Sequence, residues 1–191
     1  PWITAMKLAA RTAARRGIPF ILDPVGAGAT DFRTRTAREL METARPAVIR
    51  GNGSEIMALA ARTGSTKGVD STVSSTSALD AAKGFAAARG VVVSLSGATD
   101  YITDGTRVLE VANGAPLMTR VTGLGCTASA LTGAFCTVNP DPLVAAAHAM
   151  AVMGICGELA AAGAEGPASL QTRFLDRLYT LNAADIRNTL R

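Results

Sequence analysis

The sequence predicts an α/β domain: a mostly parallel central sheet flanked by helices on both faces, with a small antiparallel hairpin. Three observations predict it. Helical stretches alternate along the chain with short apolar runs. Those runs are continuous rather than alternating, as in strands buried on both faces. Glycine, hydroxyl and charged residues then gather in the segments that follow the runs, where open α/β sheets bind ligands.

The elements follow in order. Residues 3–16 have helical periodicity and stop at Gly17, a residue suited to the left-handed turn that closes a helix. The apolar run 18–22 is a strand, bounded by Asp23-Pro24 and the glycine-rich loop 25–30. A helix over 32–43 is closed by Pro46, and 47–49 is a short strand leading into Arg50-Gly51-Asn52. Asn52 and Glu55 have the spacing of a capping box, in which each side chain bonds the other's backbone, ahead of a helix over 56–61. Residues 63–77 are rich in Ser, Thr and Gly and read as a loop. A helix over 78–89 ends at Gly90, and the valine-rich run 91–95 is a buried strand. Residues 101–103 and 107–111 flank Asp104-Gly105, a strong hairpin signal. Thr122-Gly123-Leu124-Gly125-Cys126 opens a helix that runs to Thr137 and is broken between Asn139 and Pro142. Helices over 143–162 and 169–180 and a last turn or two from Asn182 complete the chain.

Composition bounds the function. The 191 residues suffice for one domain of ordinary size. With 48% hydrophobic and only 18% charged residues, much of the chain is buried, which excludes a disordered protein. The net charge of +4 rests on scattered arginines with 4% aromatics, a poor fit to nucleic acid and an adequate one to a small anionic ligand. The 3 cysteines, Cys126, Cys136 and Cys156, leave one unpaired in any disulfide scheme. None forms a CxxC pair, and His148 does not complete a zinc site with them at usual spacings, so a reducing, cytoplasmic setting is expected. Residues 142–157 carry no formal charge but are too short to span a bilayer, so they read as a buried helix with Met150 and Met153 as core filler. His148 reads as a buried or interface residue on it. The chain opens at Pro1 directly into an amphipathic helix rather than a signal peptide: either a leader was removed or this is the later part of a longer protein.

Polar residues at the ends of the strands are the candidates for chemistry. Two glycines ahead of the helix at 122–126 let backbone N–H groups converge on an anion at the positive end of a helix. Cys126 falls in that first turn, so its position singles it out from Cys136 and Cys156, which read as small buried residues. Asp23 leaves a buried strand at the mouth of the sheet, where a carboxylate holds Mg²⁺ through water or serves as a loop cap. Glu55 has the same two readings, and the capping box alone accounts for it. Arg50, just beyond a buried strand, either forks onto a phosphate or pairs with Glu55 or Asp23. Ser96 and Thr99 offer hydroxyls to phosphate or to their own turn. A Cys126–His148 nucleophile pair has no third group to orient it.

These segments, in this order, resemble the hydroxyethylthiazole kinase family of the ribokinase-like superfamily. The strings are LDPVGAGATDFR from Leu22, IRGNGSEI from Ile49, SGATDYITDG from Ser96 and VTGLGCTASALTGAF from Val121, followed by GPASLQ from Gly166. The cysteine of TGxGC is the most telling, because superfamily relatives usually carry aspartate there. The resemblance covers almost the whole chain. It implies transfer of the ATP γ-phosphoryl group to the hydroxyl of 4-methyl-5-(2-hydroxyethyl)thiazole, a step of thiamine biosynthesis and salvage. By position it implies Cys126 as catalytic base, and Gly123, Leu124 and Gly125 as an anion hole with Gly123 near the thiazole. Arg50 and Ser96 would contact ATP. Asp23 and Glu55 would organise Mg²⁺ and its waters, supported by Asn52. It further implies a homo-oligomer, a trimer with sites between subunits, in the cytoplasm and with no nucleic-acid or membrane partner. Family members begin with a further stretch of sheet and helix, so residues 1–191 are read as a single ribokinase-like domain lacking its N-terminal segment.

Three other readings remain at this point. One is another small-alcohol kinase of the superfamily, such as a hydroxymethylpyrimidine kinase, against which Cys126 argues. Another is a non-catalytic nucleotide-binding or assembly fragment. The third is a cysteine hydrolase, which requires an acyl adduct on Cys126.

Overall fold

The computed structural model describes residues 1–61 and 75–191. Five strands form one sheet in chain order: β1 (Ile21–Leu22), β2 (Val48–Asn52), β3 (Val92–Ser96), β4 (Asp100–Thr103) and β5 (Val108–Val111). β1, β2 and β3 run parallel, whereas β4 and β5 pair antiparallel, so the expected hairpin closes one edge of a mixed sheet. The helices are α1 (Trp2–Arg15), α2 (Asp31–Thr43), α3 (Gly53–Ala60), α4 (Ser75–Arg89), α5 (Leu124–Val138), α6 (Pro142–Ala161), α7 (Pro167–Thr180) and α8 (Ala183–Thr189). Of the loop expected over 63–77, residues 63–74 lie outside the described residues and 75–77 are the first turn of α4.

The continuous apolar runs follow from burial on both faces. Adjacent strand residues point to opposite sides. Val48, Val92 and Ile102 pack with Ala128, Leu143, Met150 and Phe174 of α5, α6 and α7. Ile49, Val93 and Leu95 pack instead with Leu40, Ile56 and Phe85 of α2, α3 and α4. Ile49 and Ile102 are fully buried, and each such side chain contributes roughly 1.5–3 kcal/mol.

Helix α6 is the centre of one layer. It has 20 residues and, among the described residues, is the one helix long and apolar enough to cross a membrane by length and composition; 67% of it is buried inside the molecule. The helix expected over 143–162 is thus found one residue earlier, and its hydrophobicity is explained by packing on several sides. Met150, Met153 and Cys156 are buried there, and Cys136 is buried on α5, as expected. His148 is exposed rather than buried, with its ring edge-on to Phe135 at 6.2 Å. Gly154 of α6 lies against the Asn113 carbonyl, where a Cβ would collide. That close approach sets the path of the segment leading to α5.

Among the boundaries that differ from the sequence reading, three have a plain physical reason. The strand expected over 18–22 contracts to Ile21–Leu22, because Pro19 has no N–H and the ladder begins only where Ala47 N–H reaches the Phe20 carbonyl at 2.9 Å. The strand expected over 47–49 extends to Asn52, because Arg50 and Gly51 continue the ladder opposite Ser94 and Leu95. In the hairpin, Thr103 pairs Val108, so the second strand begins at Val108 rather than Arg107 and four residues make the turn. The Asp104 carboxylate accepts the N–H groups of Thr106 at 2.9 Å and Arg107 at 2.7 Å, and Gly105 takes φ +95°. The turn is closed by a side chain.

Candidate active site

The polar residues singled out above meet at one end of the sheet. Asp23 follows β1, Asn52 ends β2 and Ser96 ends β3, so all stand at carboxyl ends of parallel strands. β5 is antiparallel to β4 and therefore runs with β1–β3, so the chain leaves Val111 at that same end. The loop Thr122–Cys126 does not follow a strand directly, as the sequence suggested. It follows a short 3-10 helix (Pro116–Arg120), and the bonds described next place it among the strand ends.

Arg50 is the hub. Its Nη1 donates to the Gly125 carbonyl at 3.2 Å and its Nη2 to Ser96 Oγ at 3.1 Å. Nη1 also stands 3.7 Å from Asp23 Oδ2, so of its two pairing possibilities Arg50 takes Asp23 and not Glu55. Ser96 Oγ passes its own proton to the Gly51 carbonyl at 3.3 Å. The side chains of Arg50 and Asp23 are 12% and 19% exposed, so this pair works in a poorly hydrated setting. Among the described residues Arg50 Nε is buried without a partner, as is the hydroxyl of Ser94, the residue opposite Arg50 in the ladder. A guanidinium this incompletely satisfied is suited to an incoming anion.

Glu55 is first of all a cap. Asn52 Oδ1 accepts the Glu55 N–H at 3.0 Å and Glu55 Oε2 accepts the Asn52 N–H at 3.0 Å, the predicted capping box. Its other oxygen, Oε1, accepts the Gly26 N–H at 2.9 Å. The glycine-rich loop is therefore tied to Glu55, and Asp23 is not its cap. Gly26 and Gly28 hold φ +72° and +89°, which requires glycine there.

The amino end of α5 is open. Gly123 is its N-cap with φ +94°, and no side chain caps the first turn. The N–H groups there keep the helix's partial positive charge exposed to a ligand. A Cβ on Gly125 would stand 3.1 Å from Arg50 Nη1, so glycine at 125 lets the guanidinium close on the helix. Cys126 is exposed in this first turn.

The sequence reading missed Ser129 and Asp100. Ser129 Oγ donates to Asp23 Oδ2 at 2.6 Å, across 106 residues of chain. Its position one turn beyond Cys126 on the same helix face was the available signal. Asp100 is 7% exposed, and its Oδ1 accepts the Gly97 N–H at 3.0 Å. Burial pushes its carboxyl up to about 6, against the opposing pull of the Gly97 bond and Arg50.

A hydrated divalent cation fits this donor set. Both contacts of Asp23 fall on Oδ2, so Oδ1 has no hydrogen bond from the described residues. Among those residues no cluster of three His, Cys, Asp or Glu side chains builds a closed cage, which suits a metal that keeps its waters. A cleft of about 740 Å³ lies elsewhere. It is lined by Pro19, Phe20, Arg45, Val91, Asp104 and Arg107, at the amino ends of the strands.

The profile of the hydroxyethylthiazole kinase family matches residues 1–184. The chain belongs to that family. It is 56% identical over 191 residues to the hydroxyethylthiazole kinase of Granulibacter bethesdensis, covering 100% of this chain and 69% of that one. The Syntrophus aciditrophicus hydroxyethylthiazole kinase is 57% identical over 191 residues, with 100% and 71% covered. The structure of a hydroxyethylthiazole kinase protein from Pyrococcus horikoshii OT3 superposes with a TM-score of 0.91 at 38% identity, covering 100% of this chain and 70% of the other. A Bacillus subtilis pyridoxal kinase solved as an ADP complex is more distant: TM-score 0.52, 26% identity, 76% of this chain and 57% of the other. The fold is thus ribokinase-like, and the chain is a kinase. Kinases of this kind transfer phosphoryl groups from ATP and generally need a divalent metal.

Proposed function

We propose that the chain transfers the γ-phosphoryl group of ATP to the hydroxyl of 4-methyl-5-(2-hydroxyethyl)thiazole, a step of thiamine biosynthesis and salvage. Membership of the hydroxyethylthiazole kinase family supports the substrate. The observation that carries the site is Arg50, held between Asp23, Ser96 and the uncapped first turn of α5.

Phosphoryl transfer has a loose transition state, so catalysis consists mainly of positioning and of neutralising charge on the transferred oxygens. Arg50 and Ser96 bind the phosphates of ATP, with the Arg50 Nη groups held at the site by Gly125 and Ser96. The N–H groups of Leu124 and Gly125, with Gly123 opening the turn, meet the negative oxygens as an anion hole without reorganising. Gly123 also faces the thiazole, where its open surroundings leave room for the ring. Cys126 takes the proton of the substrate hydroxyl, a contribution of about 10²–10⁴-fold. Asp23 and Glu55 would hold Mg²⁺ through its waters, and Asn52 fixes Glu55 through the capping box. Mg²⁺ neutralises phosphate charge when bound. The family resemblance also supports a homotrimer, a cytoplasmic location and a single domain across residues 1–191.

The deciding experiment is ADP release by the purified chain with Mg²⁺, ATP and the thiazole alcohol, against a blank without alcohol. Thiazole-dependent ADP formation is the expected result. Equal turnover of a hydroxymethylpyrimidine in place of the thiazole would overturn the substrate.

A further inference from the structure

We propose that Ser129 is a positioning residue for Asp23: it turns the carboxylate so that Oδ1 faces the cation side of the site and keeps it from collapsing onto Arg50. The proposal rests on the reading of Asp23 as a metal-water carboxylate. Asp23 lies just beyond a strand of only two residues, and Pro24 restricts its backbone but not its side-chain torsions, so the direction of the carboxylate is left to its contacts. It has two contacts, and both fall on the same oxygen. Ser129 Oγ lies 2.6 Å from Oδ2, in the range of a charge-assisted O–H···O⁻ bond. Arg50 Nη1 stands at 3.7 Å from that oxygen, beyond hydrogen-bond reach.

The geometry says which contact does the orienting. Arg50 directs its Nη groups to the Gly125 carbonyl and Ser96 Oγ. A hydroxyl carries one proton, and Ser129 has two acceptors in range, Asp23 at 2.6 Å and the Gly125 carbonyl at 3.2 Å. The ionised and nearer acceptor takes the proton. Without that hydroxyl, the guanidinium is the one neighbouring donor to Asp23 among the described residues, and a fork-to-fork pair draws Arg50 away from Gly125 and Ser96. Ser129 therefore keeps a cation-binding carboxylate and an anion-binding guanidinium apart although they are adjacent.

The test is calorimetric titration of Mg²⁺ into the full chain saturated with a non-hydrolysable ATP analogue, with a crystal structure of the Ser129→Ala variant. Ser129→Ala is expected to weaken Mg²⁺ about tenfold, the lower end of outer-shell effects on metal affinity. Ser129→Thr keeps the hydroxyl and restores affinity to within about threefold. In the Ser129→Ala crystal both Asp23 oxygens engage Arg50. Ser129→Cys, which keeps the volume with a weaker donor, replaces the alanine variant if that one fails to fold. Unchanged Mg²⁺ affinity with an unmoved Asp23 overturns the proposal. Asp23→Asn separates the two levels: if it weakens Mg²⁺ and Ser129→Ala does not, only the positioning role falls. If Asp23→Asn also leaves Mg²⁺ binding unchanged, the metal reading of Asp23 falls and takes the positioning role with it.

Discussion

Asp100 and Asp104 stand at opposite ends of β4, and the fold treats them in opposite ways. Asp100, at the site end, is buried with one backbone N–H and the distant pull of Arg50, and burial raises its carboxyl to about 6. Asp104, in the hairpin turn, is lowered to about 2, chiefly by the Arg107 N–H, which with the Thr106 N–H and the Arg107 side chain outweighs the opposing desolvation. The wider ends of the sheet repeat the contrast. At the amino end a cleft of about 740 Å³ is lined by polar groups that satisfy one another, with Arg107 at 2.7 Å from both Asp104 and Asp141. At the carboxyl end, among the described residues, Arg50 Nε is unpaired and the start of α5 is uncapped. Unsatisfied polar capacity, at Arg50 Nε and at the start of α5, is what distinguishes the carboxyl end.

The contrast can be broken at its strongest point. Arg50→Ala removes the hub and is expected to lower kcat/KM roughly 10²–10³-fold, the cost of losing a transition-state donor, in a steady-state ADP assay. An equal effect from Arg107→Ala would erase the distinction between the two ends. Asp100→Asn sharpens it. Because the folded carboxyl lies above its ordinary value, the native state binds more protons between pH 4 and 6, so its stability falls as pH rises through that window. Asparagine keeps an acceptor for the Gly97 N–H and removes the charge. Denaturant titration should then show a gain of about 2–3 kcal/mol at pH 7 and little at pH 4.

A smaller effect is expected at the contact between Arg50 and α5. Gly125→Ala displaces the guanidinium by a few tenths of an ångström, and roughly tenfold in kcat/KM is expected, with the unfolding midpoint nearly unchanged. The smallest effect belongs to the hairpin. Asp104→Ala should cost about 1 kcal/mol after solvent screening and leave turnover intact. Its sign with pH is the reverse of Asp100: a lowered carboxyl stabilises the fold above its ordinary value, and that contribution is lost as pH falls from 4 to 2.

Much of the molecule was legible in the residues alone, for reasons that are local. Gly17 and Gly90, at φ +65° and +61°, close α1 and α4 as their spacing predicted. The Asn52–Glu55 capping box needs only four consecutive residues to be recognised, and it forms. Runs such as Val91–Leu95 announced burial on both faces, because only a strand covered twice can be continuously apolar. The ordered motifs around Asp23, Arg50, Ser96 and Cys126 carried the family. Tertiary structure alone decided which atoms found partners. Ser129 meets Asp23 across 106 residues and Arg50 meets Gly125 across 75. No periodicity encodes such separations, since they follow from strand order, register and the passage of residues 112–123 beside α6. That same packing placed Asp100 out of water and left Arg50 Nε without an acceptor. Local rules write helices, turns and strands into the sequence; the reactivity of a side chain depends on neighbours that only the folded sheet brings together.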